Sequence, residues 1–79
     1  MFQDAKKNLK IGKKEVLKLL SEGRAKKVYI AGDCEEVFKS AILNAANSAG
    51  VTVEYKDTMS ALGAMCGIDV GASCAAEII

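Results

Sequence analysis

Between Lys13 and Glu22 the apolar residues Val16, Leu17, Leu19 and Leu20 fall on one helical stripe, and Gly23 follows in a position suited to a helix end. This predicts a helix over residues 13–22 with Gly12 as its N-cap. The next run, KVYIA at 27–31, is apolar on both alternating faces, Val28 and Ile30 on one and Tyr29 and Ala31 on the other. Such a run predicts a central strand covered on both sides. From Asp33 the helical spacing returns in Val37, Phe38, Ala41, Ile42, Ala45 and Ala49 up to Gly50, with Asp33 and Glu36 reading as a carboxylate form of the capping box. VTVEY at 51–55 alternates Val51, Val53 and Tyr55 with Thr52 and Glu54, a strand with one wetter face. A short helix from Asp57 or Thr58 to about Ala64 and a closing strand in the small-residue tail ASCAAEII complete the series. Upstream, Asp4 is placed to cap a short helix over about 4–9, ahead of a brief extended segment with Leu9 and Ile11. Alternating helices and strands predict an α/β fold, a three-layer α/β/α sandwich with a mixed sheet of about four strands.

With 79 residues, 51% of them hydrophobic and none proline, the chain suits one small domain spanning residues 1–79. Cys34, Cys66 and Cys74 are an odd set without CxxC spacing, and no histidine is present to complete a zinc site. Three reduced thiols, no metal and no cofactor are expected. No stretch approaches the roughly 20 apolar residues of a membrane span. MFQDAKKNLK lacks the apolar core of a secretory signal, so a soluble, cytoplasmic, monomeric protein is expected.

The net charge of +1 conceals a strong asymmetry. Residues 1–27 carry nine cations against three acids, whereas the remainder carries two against seven. The asymmetry suggests one basic face for a polyanion, and a solvated lysine-rich helix fits the composition equally well.

Catalytic patterns fail in turn. GKK at 12–14 is no phosphate loop, because Lys7 stands where the first glycine is required and Lys14 where a hydroxyl is required. Gly63, Gly67 and Gly71 recur every four residues, match no dinucleotide fingerprint and suit tight loop turns. Cys66 has no histidine base, and the adjacent Glu35 and Glu36 point about 100° apart on a helix. No enzymatic activity is expected.

The start of the 13–22 helix is the anomaly. A helix N-terminus already carries about half a positive charge. Lys13 and Lys14 nevertheless occupy its first turn, and Lys14 and Lys18 stand four apart as a like-charge pair. A polyanion resolves the conflict, because phosphates would meet the lysines, the free N–H groups and the dipole together. Glu15 fits if its carboxylate accepts from a guanine edge; otherwise it serves its own helix dipole and pairs with Lys18. A helix cannot enter the deep, narrow major groove of regular A-form RNA, so base reading there demands a bulged or kinked RNA. Phe2, Tyr29, Phe38 and Tyr55 are too few and too core-like for single-strand stacking.

In this order and spacing, IGKKEVLKLL, VYIAGD and LGAMCGIDVGAS resemble the kink-turn RNA-binding ribosomal-protein family, the group of L-seven-Ae and L-thirty-e relatives. The resemblance covers nearly the whole chain. It implies an α/β/α sandwich that binds RNA in which a short bulge beside tandem sheared G·A pairs bends the helix sharply. By position it implies that Gly12, Lys14, Glu15 and Lys18 enter the opened groove, with Lys13 and Lys14 replacing the family's usual Thr-Asn pair. It also implies that Ile68, Asp69 and Val70, between Gly67 and Gly71, cover the bulged nucleotides; the competing reading makes Ile68 and Val70 core residues at the mouth of the last strand. The partner expected is structured RNA, a kink-turn or ribosomal RNA, with association to the ribosome. Two rivals are a ribosomal-RNA binder that grips by charge alone, and a protein-interaction module using Glu35, Glu36, Glu54 and Asp57.

Overall fold

The computed structural model describes residues 9–68 and 71–79. Along the chain run β1 (Leu9–Ile11), α1 (Lys13–Ser21), β2 (Ala25–Ala31), α2 (Glu36–Ala49), β3 (Thr52–Lys56), α3 (Met59–Cys66) and β4 (Cys74–Ile78). The helix expected over 4–9 lies outside the described residues, apart from Leu9, which opens β1. The strands form one mixed sheet in the order β1-β4-β2-β3, antiparallel except for the β2–β3 pair. That pair is joined through α2, the kind of crossover that parallel strands require.

Two cores flank the sheet. On one face, Val16, Leu19 and Leu20 of α1 and Ile42 and Ala46 of α2 pack on Val28 and Ile30 of β2 and Cys74 and Ala76 of β4. On the other, Leu62 and Cys66 of α3 pack on Tyr29, Ala31 and Ala75. The α/β/α layering is therefore the one the alternating pattern predicts. β4 lies between β1 and β2 with helices over both faces, and its Cys74, Ala75 and Ala76 are fully buried. Small residues there let the helices approach closely.

All three helices end alike. The amides of Arg24, Val51 and Ile68 donate back to the carbonyls of Leu19, Ala46 and Gly63 at 2.9–3.0 Å, and Gly23, Gly50 and Gly67 take the left-handed turn before them. Gly63 is buried within α3, so it permits helix packing rather than a loop turn.

Four local readings change. Val37 and Ala49, placed on the α2 stripe by their spacing, are exposed at its two ends. β2 begins at Ala25, because Ala25 is buried and pairs with Ile78 across an irregularity at Lys26. Tyr55 is half exposed, since β3 is an edge strand. Asp33 does not cap α2, which begins at Glu36 without a side-chain cap. Instead its Oδ1 accepts the Met59 amide of α3 at 2.8 Å.

Candidate functional site

The C-terminal ends of β1, β2 and β3 and the first residue of β4 lie at one end of the sheet, where the turns into α1, α2 and α3 also gather. Open sheets place ligand sites at such ends. Backbone bonds tie the turns together. Gly12 donates to Cys74 (3.1 Å), Ala31 to Ser73 (2.9 Å), Gly32 to Lys56 (2.7 Å) and Ala72 to Met59 (3.0 Å). Gly71 approaches so closely that an added Cβ would stand 3.1 Å from Met59 Cβ.

Gly12 adopts φ 105°, ψ 152°, a conformation essentially confined to glycine. A Cβ there would meet nothing within 4 Å, so backbone conformation alone demands the residue. Being glycine, it offers α1 no side-chain cap. The first turn then presents Lys13, Lys14 and Glu15, all exposed, with Lys18 exposed one turn on, while Val16 enters the core. Among the described residues Glu15 makes no ion pair, so the pairing with Lys18 that the alternative reading offered is not formed. Lys13 is held differently: its Nζ lies 5.5 Å from the centre of the Phe38 ring on α2.

Beside Lys13 an open cleft of about 330 Å³ is lined by Asp33, Cys34, Glu35, Phe38, Met59 and Ser73. None of these stood among the expected RNA-binding residues, and Glu35 alone figured in the rival protein-interaction reading. They come from four separate elements, and no spacing along the chain signals their meeting. Lys39 fixes the turn below the cleft by donating to the Gly32 carbonyl at 2.8 Å. Burial pushes the Cys74 thiol up to about 11, an effect increased by nearby Cys34 and opposed by the Ser73 hydroxyl, the Gly12 amide and Lys13.

Of the loop expected to cover bulged nucleotides, Ile68 is half-buried against the core formed by α3. The capping bonds at Gly67 account for this, because the residue after such a cap commonly packs back on its own helix. Asp69 and Val70 lie outside the described residues. The acidic residues form no free patch of four carboxylates. Glu54 bonds Lys27 at 2.6 Å and Lys56 at 3.0 Å, and Glu36 bonds Lys39 at 3.2 Å. Hydrogen bonding to Lys27 and Lys56 holds the Glu54 carboxyl below its ordinary range. Among the described residues no cluster of histidine, cysteine and carboxylates could hold a metal ion, and no helix is long and apolar enough to cross a membrane.

A family model described as the ribosomal protein L7Ae/L30e/S12e/Gadd45 family matches residues 2–79. The chain belongs to this family. Among its relatives, an RNA-binding protein of Caldanaerobacter subterraneus subsp. tengcongensis is 45% identical over 69 residues, covering 87% of this chain and 84% of the relative. The RNA-binding protein YbxF of Geobacillus stearothermophilus is 39% identical over 66 residues, covering 84% and 80%. The solved 15.5kD RNA binding protein of Giardia lamblia superposes with a TM-score of 0.81 at 27% identity, over 92% of this chain and 62% of that one. The sequence resemblance and the layered fold thus lead to the same L7Ae-type family.

Proposed function

We propose that this chain is a non-catalytic RNA-binding protein, acting as one domain and as a monomer in the cytoplasm, that takes up sharply bent RNA of the kink-turn type at the start of α1. The observation that carries the reading is Glu15. It is an exposed carboxylate without a pairing partner among the described residues, set between the cations of an uncapped helix N-terminus. The relatives named as RNA-binding proteins support the polyanion. Lys13, Lys14 and Lys18 meet phosphates, where ammonium groups position without specifying sequence. Gly12 leaves the first amides of α1 open to the same phosphates. Glu15 accepts hydrogen bonds from guanine in an opened groove, and the loop through Ile68, Asp69 and Val70 flanks the bulge. Ribosomal RNA is the natural source of such a bend, and ribosome association belongs to this reading.

The test compares two RNAs, one with tandem G·A pairs beside a bulge and one with those pairs made Watson–Crick. Wild type should prefer the first. Glu15→Gln should weaken that RNA by roughly 1–3 kcal/mol, since an amide replaces only part of the bonding, while leaving nonspecific duplex binding steady or improved. Equal wild-type affinity for the two RNAs would reduce the protein to a charge-driven binder. Equal tightening of both by Glu15→Gln would make Glu15 a helix-dipole residue only.

A further inference from the structure

Two of the three thiols share one end of the sheet. Cys74 opens β4 opposite Ile30, is fully buried, and belongs to the core beneath α1 and α2. Just beyond Ile30, a turn closed by the Cys34 amide on the Ala31 carbonyl (3.4 Å) folds the chain back over the same strand end. Cys34 packs half-buried on that same core. It also lines the open cleft, so a reagent in solvent reaches Cys34 and not Cys74. The influence of Cys34 on the Cys74 thiol agrees with their being neighbours. Cys66 lies across the sheet, packed with Leu62 and Tyr29.

We propose that Cys34 and Cys74 are a dithiol that closes to an intramolecular disulfide on meeting a low-molecular-weight disulfide oxidant, and that closure weakens RNA binding at the start of α1. The second half rests on the function proposed above. The Cys34 thiolate attacks one sulfur of the oxidant, forming a mixed disulfide and releasing one small thiolate. Cys74 then gives up its proton and attacks the Cys34 sulfur, releasing the second. Two protein thiols are oxidised and one small disulfide is reduced to two thiols. A disulfide holds its Cβ atoms about 3.5–4.5 Å apart. Closure ties the 31–34 turn to the first residue of β4, whose carbonyl accepts the Gly12 amide at the start of α1. The turn leads into α2, whose Phe38 carries the Lys13 ammonium. Lys13, one of the cations proposed to meet phosphate, is displaced with it.

The experiment incubates the full chain with oxidised glutathione, alkylates remaining thiols, and maps peptides by mass while RNA affinity is measured on the same sample. The expected product links Cys34 to Cys74, is two hydrogens lighter, and leaves Cys66 alkylated. Its RNA affinity falls about tenfold and returns with dithiothreitol. Cys66→Ser should give the same link, and Cys34→Ser should give no intramolecular link. A stable mixed disulfide at Cys34, a link to Cys66 or between chains, or a Cys34–Cys74 link with unaltered affinity would overturn the proposal. If the reduced protein bound no structured RNA, the RNA-binding reading would fail, and the mass map would still decide the pairing.

Discussion

The helices α1 and α3 start at the same end of the sheet, and each must satisfy first-turn amides that have no partner within the helix. At α3 the Thr58 side chain accepts the Ala61 amide at 3.0 Å, and Asp33 reaches from the β2–α2 turn to accept the Met59 amide. At α1 there is no side-chain cap, and two ammonium groups stand beside the positive end of the dipole. A misplaced exposed charge there costs about 0.3–1 kcal/mol. The Phe38 ring returns about 0.5–1 kcal/mol for Lys13, and Lys14 has no such offset among the described contacts. The same physics is thus obeyed at the start of α3, and set aside at the start of α1, where the proposed function leaves amides and cations for a ligand.

The contrast can be broken at several points. Gly12→Ala should lower stability most, by about 1–3 kcal/mol, because the conformation excludes a side chain although the space does not. Denaturant unfolding measures it, and a loss below a few tenths would mean that the turn into α1 relaxes freely. Thr58→Ala should cost about 1 kcal/mol of stability while leaving RNA affinity unaltered, since that cap belongs to the fold. A large loss of RNA binding without destabilisation would put the start of α3 in the interface. Lys13→Ala should flatten the salt dependence of RNA binding by about one phosphate contact and weaken all RNAs alike. A change in sequence preference would contradict its phosphate role.

Much of this was legible along the chain because its causes are local. The α1 stripe, Gly23 and the doubly apolar β2 are patterns within a few residues of one another, and the clash of lysines with a helix start needs no tertiary knowledge. Asp33 was misread because a carboxylate three residues before Glu36 satisfies the local capping pattern, whereas the amide it serves lies 26 residues away. Tyr55 follows the alternation of its strand, yet only sheet order makes that strand an edge. The contact of Lys13 with Phe38 and the cleft beside it arise from packing between elements, which periodicity does not encode.

Lys14→Glu tests the central claim most directly, read out twice on one protein. The substitution relieves repulsion with Lys18 and places an anion at the positive end of α1, so stability should rise by about 0.5–1 kcal/mol. Affinity for the bent RNA should fall at least about tenfold in the same sample, since a phosphate contact becomes a repulsion. A more stable protein that binds RNA as tightly as wild type would contradict the account, because the lysines at the start of α1 would then serve neither the fold nor a ligand.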